Sequence, residues 1–589
     1  MFKLFKYMNK NQIIMAVICL ILVVAQVYFD MSIPTYMSEL TYLLKTPGTE
    51  MSQIWIAGLK MLAFTIGSGT LAIVCGYLSA RTAAGFSLNL RNAVFGKVMD
   101  MGKQDVQKFS VPSLITRTTN DVTQLQMFIA IGLQLLVKSP VMAVWAIVKI
   151  LGKSWELSLI TFGAVLLIII TVVVIMSLVL PRFKKVQKLV DGINRTAREN
   201  LTGINVVHAY NAEGYQNEKF GKVNDDLTKT QLFNQRAFSF LSPVMTIVFN
   251  GLTLAIYWVG ALLLNKIPAE NVAGKMTLFS DIVVFSSYAM YVVLSFMNLI
   301  MVFMFMASAL VSAKRIREVL DTKSSIVQGE LMDGIDPGTI EFKNVSFKYP
   351  DSAEDQLNDV SFRVNKGDVI AFIGSTGCGK TTLISLMARL YDTTEGEVFV
   401  DGVNVKSYSF EGLYNKIGYI TQKPVIFSGS IKDNIDFGVC KDGVSENDIN
   451  TALEISQAKE FVDKQPDGLE HQIAQAGKNL SGGQKQRLSI ARSIARKPEI
   501  LIFDDSFSAL DYKTDAKVRS NLAKELKDTT CVIVAQRIST IKNADKIIVL
   551  DAGKVVGEGT HSELMNNCDV YKEIALSQLS QSELEKVEE

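Results

Sequence analysis

Residues 374–381 read Gly374-Ser375-Thr376-Gly377-Cys378-Gly379-Lys380-Thr381. Glycines at this spacing let backbone N–H groups curl around phosphate oxygens, the lysine adds a point charge, and the threonine hydroxyl suits Mg²⁺. The run follows the apolar stretch Val369–Ile373 and leads into the helical pattern Thr382–Arg389, so Thr382 completes the phosphate-facing set. That strand–loop–helix context makes the signal strong; Cys378 reads as a tolerated small residue. A second apolar strand, Ile500-Leu-Ile-Phe-Asp504, ends in a carboxylate. Ligands of α/β folds bind at the carboxyl ends of strands, which predicts Asp504 beside the same Mg²⁺. A third segment, Leu480-Ser481-Gly482-Gly483-Gln484, precedes the basic helical pattern Lys485–Arg496. Backbone N–H groups there form a second anion site at a helix N-terminus.

These groups must be carried by a chain that is only partly soluble. Of 589 residues, 49% are hydrophobic, and the mean hydropathy is +0.24. That composition predicts a membrane component. A formal charge of +2 argues against a general nucleic-acid binder. Six cysteines (19, 75, 378, 440, 531, 568) lack metal-ligand spacing, and three histidines (208, 471, 561) are too few for a histidine cluster.

Six apolar spans crowd the first 310 residues, at roughly 13–33, 54–80, 128–151, 156–180, 243–265 and 278–310. Each is long enough to cross a bilayer as a helix. The first reads as a retained span rather than a cleaved signal, since no small-residue cleavage site follows it. Arg81–Lys138 holds seven Lys/Arg and Arg182–Arg236 holds ten, against one, one and two in 34–53, 152–155 and 265–277. By the positive-inside rule the N-terminus and both long connections are cytoplasmic. Residues 1–10 alternate aromatic or aliphatic residues with lysines, which fits either an interfacial helix or a basic flank. The long connections keep helical periodicity and predict helical extensions below the membrane, with coupling regions near 109–121 and 202–214.

After Lys314–Asp321 the pattern changes. Thr339–Phe347 and Val360–Val364 alternate like strands, and strand and helix patterns then alternate to about residue 576. The expected fold is a multidomain membrane protein: an all-α six-helix transmembrane domain (1–320), then an α/β P-loop NTPase domain (321–577) and an acidic tail (578–589).

With its Leu480–Gln484 pentapeptide, the chain resembles the ATP-binding cassette (ABC) transporters along nearly its whole length, as an exporter-type half-transporter. The resemblance implies ATP and Mg²⁺ as ligands. It makes Tyr349 the adenine-stacking aromatic, Gln422 a Mg²⁺ contact that senses the membrane domain, and Ser508–Asp511 a loop crossing between two nucleotide domains. Two such domains meet head to tail in the family, so each ATP lies between one phosphate loop and the other domain's signature motif. A second half-transporter is therefore implied, in the cytoplasmic membrane.

Two positions depart from the family pattern. Asp505 stands where Glu usually acts as general base, and Gln536, in Val532-Ile-Val-Ala-Gln536-Arg537, stands where a switch histidine is usual. His561, in Gly559-Thr-His-Ser-Glu, matches a non-catalytic pattern. Aspartate's carboxylate is set back by about 1–1.5 Å, and a misplacement of about 1 Å costs on the order of 100-fold in rate. Gln536 can donate a neutral hydrogen bond but carries no proton or positive charge. The segment Ala474–Gly477 also lacks an acidic residue common there in exporters. Together these resemble the degenerate-site subunit of heterodimeric exporters, whose partner supplies catalytic Glu and switch His.

The substrate is expected to be a hydrophobic or amphipathic small molecule. Met290, Met297, Met301, Met304 and Met306 interleave with Phe296, Phe303 and Phe305 on the last span, which fits ligand contact or plain packing. Asp30, Lys60, Lys149 and Asp281 in or near the spans fit a cavity or an interface. A homodimeric exporter, a lipid or glycolipid flippase and an ATP-gated regulatory subunit share the same architecture.

Overall fold

The computed structural model describes residues 2–46, 48–151, 153–268, 271–350, 352–438 and 443–578. Cys440, the side chain of Met304 and the tail beyond Gln578 lie outside the described residues. The chain forms two compact units. One comprises the residues up to Met99 with Val111–Thr322; the other comprises Asp100–Ser110 and the residues from Lys323 onward.

The first unit is all helix. Its six candidate spans are Lys10–Lys45, Met51–Met99, Val111–Leu151, Trp155–Thr202, Glu213–Asn265 and Val272–Asp321, and each contains one of the expected apolar stretches. They outrun their apolar segments. The helix Met51–Met99 has 49 residues, about 70 Å at 1.5 Å per residue, more than twice a hydrocarbon core of about 30 Å. The extra length is the charged continuation of the spans, so both long connections are helical. Ile14, Ile66, Phe162 and Leu180 are exposed along the spans, as expected where lipid is the solvent. The buried side is packed by Phe285, Tyr288 and Val292 of the last span against Met31, Ile168 and Ile256.

The N-terminal stretch is a 3₁₀ helix, Phe2–Tyr7, held against the second span. Leu4 is buried, the Phe5 and Phe86 rings lie 6.3 Å apart, and Asn89 donates to the Tyr7 carbonyl at 3.0 Å. Two carboxylates inside the spans are paired. Asp30 meets Lys138 at 3.0 Å and also accepts from Ser68, while Asp281 pairs with Lys153. Lys60 and Lys149 are exposed.

The second unit is α/β. Its main sheet runs, in spatial order, Lys554–Gly559, Lys546–Asp551, Val369–Gly374, Thr530–Val534, Ile500–Asp504, Ile417–Ile420. The last five strands are mutually parallel and the first is an antiparallel edge. The central strands Ile500–Asp504 and Thr530–Val534 are buried at every residue, as a sheet covered on both faces requires. A smaller antiparallel sheet orders Leu357–Val364, Ile340–Phe347, Glu395–Val400, Val403–Asn404. The short helix Lys103–Phe109 belongs to this unit. Its buried Asp105 accepts from the Ser325 N–H at 2.8 Å, and Tyr391 donates to Gln107 at 3.2 Å. The incorporated segment overlaps the expected region 109–121 at its last two residues, and Asp105 and Gln107 hold it through Ser325 and Tyr391. Val111–Thr118 is part of the first unit.

Candidate nucleotide site

The phosphate loop leaves the strand Val369–Gly374 and enters the helix Lys380–Met387. Gly374, Gly377 and Gly379 take φ of 153°, 88° and 107°. A Cβ on Gly374 would lie 2.0 Å from the Leu550 carbonyl oxygen, and one on Gly379 would lie 2.6 Å from Leu357. Side chains are therefore excluded at both by neighbouring protein. Gly377 differs: nothing lies within 4 Å of its Cβ position. Buried Lys380 folds into the loop and donates to the carbonyls of Gly374 (2.8 Å) and Ser375 (2.7 Å). Ser375 and Thr376 are exposed on the loop, and Cys378 is buried beneath it.

Two oxygens suited to a hard cation meet at the strand ends. Thr381 Oγ1 donates to Asp504 Oδ1 at 3.0 Å, and Asp504 is buried. Burial raises the Asp504 carboxyl above its usual range, against hydrogen bonds from Thr381 and Tyr419 that pull it down. A carboxylate and a hydroxyl beside a phosphate loop fit Mg²⁺, which binds through one or two protein oxygens plus phosphates.

The three candidate hydrolytic side chains converge. Gln536 Nε2 donates to Asp505 Oδ2 at 2.9 Å, and Gln422 Nε2 donates to the same oxygen at 3.2 Å. Asp505 has a left-handed φ of 49°, and its N–H bonds the Val534 carbonyl at 3.0 Å. Burial pushes its carboxyl up, opposed by hydrogen bonds from Gln422 and Ser508 and by the charges of Lys380 and Arg537. Asp505 is thus held between two neutral amides.

Tyr349 is half-buried. Its hydroxyl lies 2.9 Å from Thr382 Oγ1 and its ring is edge-on to Phe347 and Tyr391. Ser481 and Gln484 cap the helix Gly482–Ala495 reciprocally: the Gln484 N–H donates to Ser481 Oγ at 3.3 Å and the Ser481 N–H to Gln484 Oε1 at 2.8 Å. Ser481 and Gly482 are exposed and nothing lies within 4 Å of a Cβ on Gly482, so a large group can approach. Arg487 and Arg492 turn inward to backbone carbonyls and anchor this helix rather than serving an anion. Among the described residues no hydrogen bond joins 481–484 to 374–382. Asp511 caps the helix Tyr512–Glu525 through the Thr514 N–H at 3.0 Å, which accounts for it locally. His561 bonds the Tyr571 hydroxyl at 2.6 Å, a packing role.

Sequence reasoning missed three residues. Tyr419 donates to Asp504 Oδ2 at 3.4 Å, and Gln356 Nε2 donates to the Gly377 carbonyl at 2.7 Å. Gln578 bonds the loop that carries Gln536. Only Tyr419 left a signal, lying on the strand just ahead of Gln422.

Known proteins resemble both units of the chain. The family described as ABC transporter matches residues 357–508, and the ABC transporter transmembrane region matches residues 15–296. An uncharacterized ABC transporter ATP-binding protein of Mycobacterium tuberculosis is 37% identical over 88% of this chain and 89% of its own. The ATP-dependent lipid A-core flippase of Pseudomonas syringae pv. tomato is 28% identical over 89% of this chain and 85% of its own. A bacterial Atm1-family ABC exporter solved with ATP bound shares the fold, with a TM-score of 0.80 and 22% identity over 97% of this chain and 99% of that one.

Proposed function

This chain belongs to the ABC transporter family, and on that premise we propose that it is the degenerate-site subunit of a heterodimeric exporter of hydrophobic or amphipathic small molecules. Its own phosphate loop, Thr381 and Asp504 bind ATP with Mg²⁺, and its Ser481–Gln484 motif completes the site of a partner half-transporter carrying catalytic Glu and switch His. The cation supplies charge neutralisation on the phosphates when bound. Lys380 is placed for the phosphate charge, Tyr349 for the adenine ring, and Gln422 for contact between the cation and Asp505.

The observation that carries the reading is Asp505 held by Gln422 and Gln536 on one oxygen. Every group needed to bind nucleotide is present, whereas the base is shortened and the switch residue is neutral. Loss of a positioned base costs roughly 100- to 10,000-fold. That no hydrogen bond among the described residues joins Ser481–Gln484 to the phosphate loop of the same chain fits a dimer in which each serves a different site. So do the exposed Leu201, Val206 and Tyr210 at the tip of the second cytoplasmic connection. The segment Asp100–Ser110, built into the nucleotide-binding unit, supports mechanical coupling of ATP-driven closure to the spans by alternating access. An apolar cavity of about 320 Å³ between the fourth, fifth and last spans, lined by Ile175, Met176, Met245 and Met297 among others, supports a hydrophobic substrate.

The test is ATPase activity of the full chain in nanodiscs, alone and with candidate partner half-transporters. Activity that needs a partner, and disappears on changing that partner's catalytic Glu to Gln, is expected. Brisk activity of the chain alone, abolished by Asp505→Asn, would instead make it a homodimeric exporter.

A further inference from the structure

We propose that Gln578, at the end of the C-terminal helix, is a positioning residue for Gln536 and hence for the Asp505–Gln536 pair. The inference rests on the reading above, in which that pair acts on ATP in this chain's own site.

Gln536 lies in the loop between the strand Thr530–Val534 and the helix Ile538–Ile541. That helix has four residues, and its leading N–H groups have no partner within it. Arg537, at its N-cap, supplies no side-chain hydrogen bond. The missing cap comes from forty residues downstream. The Ile538 N–H donates to Gln578 Oε1 at 2.9 Å, and Gln578 Nε2 donates to the Gln536 carbonyl at 2.8 Å. One planar amide therefore fixes the backbone on both sides of Arg537. Gln536 then extends its own amide to Asp505 Oδ2 at 2.9 Å. The helix bonds the loop, and the loop aims the side chain.

The clamp is firmly mounted. Tyr571, Ala575 and Gln578 fall at i, i+4 and i+7 of the helix Asp569–Gln578, so they share a face. Tyr571 and Ala575 are fully buried, and the Tyr571 hydroxyl is held by His561 at 2.6 Å. Gln578 is itself exposed, so replacing it opens no cavity. A primary amide supplies donor and acceptor together. Glutamate keeps the bond from the Ile538 N–H but sets a carboxylate oxygen against the Gln536 carbonyl.

The test is single-turnover hydrolysis of radiolabelled ATP in nanodiscs by the full chain assembled with its partner half-transporter, the partner's catalytic Glu changed to Gln so that only this chain's slow site is read, with ATP affinity and melting temperature measured in parallel. Q578A, Q578E, Q536A and the double variant Q536A/Q578A are compared with the unsubstituted chain. Expected is a three- to tenfold slower turnover for Q578A, about what one or two hydrogen bonds provide. Q578E is to be at least as slow, and ATP affinity and melting temperature unchanged. The double variant is to be no slower than Q536A, since Gln578 acts only through Gln536. Wild-type turnover in Q578A beside slow turnover in Q536A overturns the positioning role alone. Multiplying effects in the double variant, or a loss of ATP affinity in Q578A, do the same. Wild-type turnover in Q536A removes the reading of the hydrolytic pair and this proposal with it.

Discussion

Gln536 Nε2 lies 2.9 Å from Asp505 Oδ2, so the residue at the switch position is hydrogen-bonded to the residue at the base position, amide to carboxylate. A histidine there would present an imidazole that can carry a proton, and a glutamate at 505 would reach one methylene further. Restoring both is expected to raise hydrolysis by the full chain on the order of 100-fold, the scale of a correctly placed base. Asp505→Glu or Gln536→His alone is to recover much less, because groups that act as a unit are non-additive. ATPase assays of the two single variants and the double decide it. Single-variant gains that multiply to the gain of the double would show that the residues act independently.

The pH dependence follows from burial. The Asp505 carboxyl is raised above its usual range. A base must be deprotonated to act, so activity falls as pH drops through the raised value, higher than for a solvent-exposed aspartate near 4. The acid limb of kcat/KM, which reports the free enzyme, is expected to be displaced upward accordingly. Read in a complex whose partner carries Glu→Gln, so that only this chain's slow site turns over, Asp505→Asn should abolish that limb. A limb in the ordinary carboxylate range would contradict the burial argument.

Two glycines of one loop should fail differently. Gly377→Ala places a methyl where no protein atom lies within 4 Å, at a φ of 88°. The left-handed backbone costs roughly 1–2 kcal/mol, so the chain should still fold, while the methyl and the strained turn disturb the phosphate cradle. ATP affinity should drop at least tenfold with a modest change in melting temperature. Gly374→Ala drives a methyl to 2.0 Å from the Leu550 oxygen and should lower the yield of folded protein. Nucleotide-binding and melting assays on both variants separate these outcomes. Unaltered ATP affinity in Gly377→Ala would remove that glycine from the cradle.

The architecture was legible because each part follows from local chemistry. Apolar runs long enough to span a bilayer can form only helices there, so the six spans could be read directly. A Gly-rich turn between a buried strand and a helix has few alternatives, and Gly374–Thr381 adopts that form. What stayed hidden was long-range. Asp30 reads as an isolated carboxylate until the fold brings Lys138 to it from another span. Gln578 has no motif, and its meeting with Ile538 depends on how the C-terminal helix is packed by Tyr571. The incorporation of Asp100–Ser110 into the nucleotide-binding unit rests on Asp105 and Gln107, whose partners Ser325 and Tyr391 are more than two hundred residues away.

The Asp30–Lys138 pair yields a last prediction, because of where it lies along the helices. Ser68 and Lys138 lie well inside the apolar spans 54–80 and 128–151 and Asp30 near the end of 13–33, so the pair lies within the spans, where a lone charge is expensive and a matched one is tolerated. Asp30→Asn or Lys138→Met leaves the other charge without its counterion, and removing one member of a buried pair costs up to about 3–5 kcal/mol. Each single variant should therefore melt several degrees below the unsubstituted chain. The double variant Asp30→Asn/Lys138→Met has no charge to strand, so its melting temperature should return most of the way. Because the pair is largely buried between helices, the losses should hold at high ionic strength. Additive losses in the double variant would mean that the two residues stabilise the bundle separately rather than as a pair.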